Sequence, residues 1–190
     1  MNLPNTITLV RMFLVPLLVV VLLTEFDGRR FLGMPKEFVA AAIFGLASIT
    51  DWLDGWLARR LNQTSAFGAF LDPVADKLMV AAALIILVQL ERVDAIIALI
   101  IIGREVAISA LREWMAGIGA ARSVAVSFLG KVKTASQMLA IPLLLYHDPL
   151  GAFRPQQVGT WLIVLAAVLT LVSMAYYLKV ALPQLWRAQR

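Results

Sequence analysis

Residues 50–60, T-D-W-L-D-G-W-L-A-R-R, place two aspartates and two arginines at the end of a long apolar stretch. The 190-residue chain is 61% hydrophobic and 15% charged, with a mean hydropathy of +0.85. A soluble domain is normally about one quarter charged. We therefore expect a single domain, residues 1–190, that lies in a lipid bilayer, and charged side chains inside it are expected to be functional.

Six apolar segments are long enough to cross a hydrocarbon core of about 30 Å as helices. They cover approximately residues 7–24, 36–60, 67–90, 93–116, 127–146 and 157–182. The apolar run from Met12 to Leu23 has the length of a signal-peptide core, but no small-residue cleavage site follows it, so we expect it to be retained. The sequence predicts an all-α integral membrane protein with six transmembrane helices.

Lysine and arginine residues predict the orientation of these helices, because cytoplasmic loops of membrane proteins are enriched in both. Twelve of the 17 fall on one predicted side, namely Arg11, Arg59, Arg60, Lys77, Arg104, Arg112, Arg122, Lys131, Lys133, Lys179, Arg187 and Arg190. We therefore expect both termini, and a polar cavity between the helices, to face the cytoplasm. The net charge of +5 favours an anionic membrane surface or anionic substrates over nucleic acid in so apolar a chain.

The second predicted helix carries one polar face near its cytoplasmic end. At 100° per residue, the positions within about 80° of Asp51 are Asp54, Gly55, Ala58 and Arg59. Small residues allow a ligand to approach the backbone closely, and a guanidinium at the edge of the face can bind phosphate. This face is expected to line a binding site.

The third predicted helix carries a matching stripe, Gly68, Asp72 and Asp76, at i, i+4 and i+8. A short turn makes the two helices antiparallel neighbours, so the stripes can face each other. Four carboxylates in one small volume must be protonated, paired or bound to cations. The chain has no cysteine and one histidine, His147, so an oxygen-bound hard cation such as Mg²⁺, Mn²⁺ or Ca²⁺ is the metal that fits.

Three simpler interpretations compete with a metal site. Asp72-Pro73 can be a helix N-cap followed by proline at the first helical position. Glycine and alanine at these spacings are common in helix packing within membranes. A cation transporter would also place aspartates in the membrane, but along the whole depth of an ion path. Clustering at one end, beside arginines, favours an enzyme acting on lipid phosphates.

The spacing from Asp51 to Asp76, D-x2-D-G-x2-A-R-x8-G-x3-D-x3-D, resembles the signature of the CDP-alcohol phosphotransferase family. The resemblance extends to L-P-N-T-I-T-L-V-R, G-R-E-V-A-I-S-A-L-R-E-W-M-A and G-K-V-K-T-A-S-Q-M, which are similar to the bacterial members that use a glycerol phosphate. It implies a six-helix homodimer in the bacterial inner membrane. Such an enzyme transfers the phosphatidyl group from CDP-diacylglycerol to sn-glycerol 3-phosphate and releases CMP.

The resemblance also implies a role for each signature residue. Two divalent cations, Mg²⁺ or Mn²⁺, would be held by Asp51, Asp54, Asp72 and Asp76. Asp76 would also be the general base for the acceptor hydroxyl. The CDP group would be bound by Gly55, Ala58, Arg59 and Gly68.

The signature leaves the acceptor alcohol open, since serine, inositol phosphate, choline and phosphatidylglycerol are used within the same family. A phosphate-bearing acceptor requires cations near the metal site. The residues that offer polar or cationic groups on that side are Thr8, Arg11, Arg104, Arg112, Lys131 and Lys133. Arg104 and Arg112 share one side of a helix, and Glu105 and Glu113 are expected to pair with neighbouring basic residues. Alternatively, these cations extend to anionic lipid headgroups.

Overall fold

The computed structural model describes the backbone of residues 3–23, 30–31, 33–61, 66–117 and 128–188. Side chains within these ranges are described except at residues 3–8, 51–52, 54–61, 66–70, 72, 128–129 and 180–188. Six α-helices make up most of this part of the chain: α1 Leu3–Leu23, α2 Lys36–Leu61, α3 Ala66–Gln89, α4 Ala95–Gly117, α5 Phe128–Tyr146 and α6 Pro155–Ala188. The predicted all-α class and the number of helices are confirmed for the described residues.

Most helix ends lie within two residues of the prediction, and the two outer helices are the exceptions. α1 begins at Leu3 and α6 continues to Ala188, beyond the apolar runs that defined the predicted segments. Helical hydrogen bonding continues wherever the backbone allows it, whereas the prediction ended where the side chains became polar. A short antiparallel hairpin, Arg30–Phe31 with Met34–Pro35, was not predicted; it turns at Gly33, which has a φ of 80°.

Asp72-Pro73 lies inside α3 rather than at its start, because the helix begins at Ala66. The interpretation of these two residues as an N-cap and first helical position is therefore wrong. A proline inside a helix supplies no N–H to the carbonyl one turn earlier, and its ring weakens the helix at that point. The helix thus has a local break in its hydrogen bonding between the positions of Gly68 and Asp76.

One helix in the described part of the chain, Pro155–Lys179 with a mean hydropathy of 2.2, has the length and composition of a membrane span. Leu9–Leu23 is a shorter apolar helix. Charged residues in the other helices, such as Asp76 in α3 and Arg104 in α4, lower the apolar character of those segments. The apolar side chains that the helices bury against one another include Leu18, Phe44, Leu84, Ile101, Ile141 and Leu144, all fully buried.

Arg92, between α3 and α4, joins the ends of several helices at one end of the bundle. Its guanidinium donates hydrogen bonds to the carbonyls of Leu144 and Leu145 in the last turn of α5, at 3.2 Å and 2.6 Å. It also forms an ion pair with Glu37 in the first turn of α2, at 3.9 Å. Burial lowers the pKa of Arg92, and the nearby carboxylates of Glu37 and Asp148 oppose that change. A cation is stabilised at the carbonyl end of a helix.

These contacts establish that successive helices run in opposite directions. The end of α1 also meets the start of α2, because Lys36 donates a hydrogen bond to the carbonyl of Leu22 at 3.4 Å. His147 lies in the loop after α5, near Arg92. The opposite end of the bundle therefore contains the first halves of α1, α3 and α5 and the second halves of α2, α4 and α6.

Gly159 provides a test of the packing between α5 and α6. A Cβ atom there would lie 2.7 Å from Cγ of Leu144 and 3.2 Å from the carbonyl oxygen of Ala140. Gly159→Ala should therefore cost about 1–3 kcal/mol by overpacking and lower the thermal unfolding midpoint in detergent. Gly45→Ala is the matched control, because no atom lies within 4 Å of the new methyl group. A midpoint for Gly159→Ala at or above that of Gly45→Ala would contradict this packing.

Candidate active site

Asp76 lies at the polar end of the bundle, where its partly buried side chain lines two small cavities. The first cavity, of about 40 Å³, is also lined by Glu105 from α4 and by Lys133, Thr134 and Gln137 from α5. A volume of this size has room for a few water molecules or ions. Asp76 therefore faces a polar space shared by three helices.

A second cavity next to Asp76 has a volume of about 10 Å³. It is lined by Arg11 from α1 and by Ala47 and Ser48 from α2, together with Phe44. Arg11 is only 2% exposed. The structure thus brings one arginine from α1 and one lysine from α5 to cavities that Asp76 also lines. The sequence alone had assigned these residues only to the same predicted side of the membrane.

Glu105 links two of the predicted cationic residues. Its Oε1 atom accepts a hydrogen bond from Nη1 of Arg104 at 3.2 Å and contacts Nζ of Lys133 from α5. Both cations are buried, with side-chain exposures of 8% for Arg104 and 3% for Lys133. The predicted pairing of Glu105 with neighbouring basic residues is confirmed. Glu113, by contrast, is exposed.

Arg104 and Arg112 lie on the same side of α4, as predicted, and both contact Tyr177 of α6. The guanidinium carbons lie 5.6 Å and 5.4 Å from the centre of the tyrosine ring. Nη2 of Arg112 donates a hydrogen bond to the Tyr177 hydroxyl at 3.1 Å, and Nη2 of Arg104 donates to Oγ of Ser173 at 3.3 Å. α6 therefore supports the two arginines.

Sequence reasoning missed Ser173 and Tyr177. They are four residues apart in α6, so they lie on one face of that helix. A serine and a tyrosine at this spacing in an otherwise apolar helix are a weak signal, because both residue types also occur in ordinary helix packing. Their contacts with arginines became apparent only from the packing of α6 against α4.

Of the other predicted site residues, the structure describes the side chain of Lys131 and only the backbone of the rest. Lys131 is exposed, and it lies outside the two cavities as the described side chains outline them. The side chains that fall outside the described residues are Thr8, Asp51, Asp54, Gly55, Ala58, Arg59, Gly68 and Asp72. Their backbones belong to the first turns of α1, the last turns of α2 and the first half of α3.

Oxygen-bearing side chains lie around Asp76 in the described part of this site. No cluster of three acidic, histidine or cysteine side chains occurs among the described residues, of which Asp76 is the only one of the four predicted aspartates. Glu105, Thr134 and Gln137 line the first cavity with Asp76, and Ser48 lines the second. Each of these side chains carries an oxygen atom, the type of ligand atom that Mg²⁺ and Mn²⁺ prefer. Asp51 follows Ser48 by one helical turn, and Asp72 precedes Asp76 by one turn, so the four acidic positions belong to segments that continue from the cavity.

Known proteins resemble this chain over nearly its whole length. Residues 1–172 match the family model of CDP-alcohol phosphatidyltransferase. A protein of Salmonella choleraesuis (strain SC-B67), named CDP-diacylglycerol–glycerol-3-phosphate 3-phosphatidyltransferase, is 47% identical over 182 residues, which cover 95% of this chain and 94% of that protein. Proteins of the same name from Shigella flexneri and Escherichia coli (strain K12) are 46% and 45% identical with the same coverage. The chain belongs to the CDP-alcohol phosphatidyltransferase family.

Proposed function

We propose that this protein transfers the phosphatidyl group from CDP-diacylglycerol to sn-glycerol 3-phosphate, forming phosphatidylglycerophosphate and CMP. The observation that carries the proposal is that Asp76 shares a cavity with Lys133, a buried member of a cationic cluster, in a chain of this family. Relatives at 45–47% identity that cover almost the whole chain bear the name of the same transferase. The cluster consists of Arg104, Arg112 and Lys133, and we refer to it below as the cationic cluster.

All six helices are proposed to cross the bacterial inner membrane, with both termini and the active site on the cytoplasmic side. Large apolar side chains point away from the bundle, including Phe13, Leu99 and Trp161 with exposures of 74%, 71% and 76%. Water would solvate such a surface poorly, whereas lipid chains match it. Arg104 and Glu105 of α4 and Lys133 of α5 form a network between the helices, where they avoid contact with lipid.

Asp51, Asp54, Asp72 and Asp76 are proposed to hold two divalent cations, Mg²⁺ or Mn²⁺. Such ions, when bound, neutralise charge on the pyrophosphate of the donor and on the departing CMP. Asp76 is proposed to accept the proton of the acceptor hydroxyl, since its carboxylate lines a cavity together with Lys133 of the cationic cluster. The small residues Gly55, Ala58 and Gly68, with Arg59, are proposed to bind the CDP group.

The charge balance near Asp76 favours an acceptor that carries phosphate. The cationic cluster contributes three positive charges, and the carboxylates of Glu105 and Asp76 contribute two negative charges, so one positive charge remains. A phosphate group would balance the remainder and accept charge-assisted hydrogen bonds. Serine and choline lack such a group, so sn-glycerol 3-phosphate fits this end better. Thr8, Arg11 and Lys131 are proposed to contribute to the same acceptor pocket.

The active form of the enzyme is proposed to be a homodimer.

Release of CMP tests the reaction and the acceptor together. Purified protein in detergent with CDP-diacylglycerol and Mg²⁺ or Mn²⁺ should release CMP when sn-glycerol 3-phosphate is added, and much less with serine, inositol phosphate or phosphatidylglycerol. Chelation of divalent cations should abolish the release. Failure to release CMP with every acceptor would contradict the transferase, and uptake of divalent cations by proteoliposomes would then support a transporter.

Replacement of Asp76 tests its role as the base. Asp76→Asn keeps the size of the side chain and removes its charge, so turnover should fall by about 100-fold or more. Thermal unfolding should show that the variant still folds. Asp148→Asn, in an exposed loop at the other end of the bundle, is the matched control and should retain full activity. If the turnover of Asp76→Asn is within a few-fold of that of the unaltered protein, Asp76 is not the general base.

Replacement of Arg104 tests the acceptor pocket. Arg104→Ala should raise the KM for sn-glycerol 3-phosphate about tenfold or more, because a charge-assisted hydrogen bond is lost. The KM for CDP-diacylglycerol should change little. Arg154→Ala, an exposed arginine at the opposite end, should alter neither constant. Equal increases in both KM values for Arg104→Ala would place this arginine outside the acceptor pocket.

A further inference from the structure

Tyr177 is among the most completely buried polar-tipped side chains at the active-site end of the bundle. It is 1% exposed and packs with Ile108 and Met115 of α4 in a small apolar cluster of its own. Arg104, Ile108 and Arg112 lie four residues apart in succession, so they form one stripe along α4. The tyrosine ring rests against the middle of this stripe and can move little, because buried side chains on both helices surround it.

Both arginines of the cationic cluster are held by this one ring. The two guanidinium carbons lie at 5.6 Å and 5.4 Å from its centre, within the range of a cation–π interaction. The hydroxyl at the ring's edge accepts a hydrogen bond from Arg112 at 3.1 Å. An aromatic face thus orients two cations that would otherwise repel each other.

A tyrosine orients an arginine without neutralising its charge, and this distinguishes it from a carboxylate. In the described part of the chain, Arg112 forms no ion pair with a carboxylate, whereas Arg104 pairs with Glu105. The Nε atoms of Arg104 and Arg112 are buried and have no hydrogen-bond partner among the described residues. Buried guanidinium N–H groups of this kind are donors suited to the oxygens of a phosphate.

We propose that Tyr177 is a positioning residue that holds Arg104 and Arg112 ready for the phosphate of the acceptor, and so determines specificity for a phosphate-bearing alcohol. The proposal rests on the proposed function and adds a residue of α6 to its acceptor pocket. Ser173, one turn earlier in α6, supports Arg104 from the same helix. A change at Tyr177 should therefore affect the acceptor and spare the nucleotide donor.

Two substitutions separate the parts played by the ring and by the hydroxyl. Tyr177→Phe keeps the ring and loses the hydrogen bond to Arg112, so the KM for sn-glycerol 3-phosphate should rise about threefold to tenfold. Tyr177→Leu also loses the aromatic face, so this KM should rise about 30-fold or more. In both variants the KM for CDP-diacylglycerol should stay within about twofold, since the donor does not depend on these arginines.

Inhibition by inorganic phosphate gives a second measurement of the same pocket. Phosphate should compete with sn-glycerol 3-phosphate, and its inhibition constant should rise in parallel with the acceptor KM in both variants. Tyr176→Phe is the matched control, because Tyr176 is 54% exposed and the substitution keeps the edge-to-face contact of its ring with Tyr177. This control should leave both KM values and the phosphate inhibition unchanged.

Equal increases in both KM values, or a lower unfolding midpoint with an unchanged acceptor KM, would show a purely structural role and overturn the proposal. If Tyr177→Leu does not fold, Tyr177→Phe decides alone, and an unchanged acceptor KM in that variant overturns it. Failure of the proposed function is a different result, because the unaltered protein would then release no CMP with sn-glycerol 3-phosphate.

Discussion

Positive charge buried among apolar helices is the constraint on which the active-site end of this protein depends. A cation taken out of water needs a carboxylate, hydrogen-bond acceptors or a bound anion in place of its hydration shell. Glu105 meets this need for Lys133 and Arg104, and it thereby joins α5 to α4. Ser173 and Tyr177 meet part of the same need from α6. The helices that form the cavity are thus held together by the groups that the chemistry is proposed to use.

The arrangement around Asp76 suits a reaction between two anionic partners. The phosphates of a nucleotide donor and of a phosphate-bearing acceptor repel each other, and that repulsion opposes their approach at any shared site. Arg11 and Lys133 each line a cavity with Asp76, so positive charge from two different helices lies near the carboxylate. Cations fixed before the substrates arrive stabilise the negative charge of the reacting groups without reorganising, which is the main electrostatic contribution that enzymes make.

Much of the fold could be predicted from the sequence, because apolar runs of about 20 residues separated by short polar turns leave few alternatives to helices. The extension of α6 to Ala188 could not, since backbone hydrogen bonding does not stop where side chains become polar. The ion pair between Lys133 and Glu105 could also be identified only from the structure. Lys131 and Lys133 are two residues apart, so they differ by about 200° around the helix and only one can face the cavity. The rotation of α5 that selects Lys133 is set by packing.

The contact between Tyr177 and Arg112 is another that could not be predicted from the sequence. Its hydrogen-bond partner Arg112 is 65 residues away in the sequence, and an aromatic residue in an apolar helix is typical of ordinary core packing. The aspartate spacing, in contrast, is local to two consecutive helices and identified the family by itself. Patterns within one or two consecutive helices can therefore be recognised in the sequence. Contacts between helices far apart in the sequence depend on how the whole bundle packs.

Arg92 has a consequence for the order in which the chain assembles. Its partners at Leu144 and Leu145 are synthesised 52 and 53 residues later, which corresponds to about 3–10 s of translation. During that interval the loop between α3 and α4 carries a guanidinium that the last turn of α5 has not yet reached. The arrival of α5 satisfies this charge and at the same time fixes the far ends of α2 and α5 relative to each other. Arg92 thus gains its full set of partners only after five of the six helices have been made.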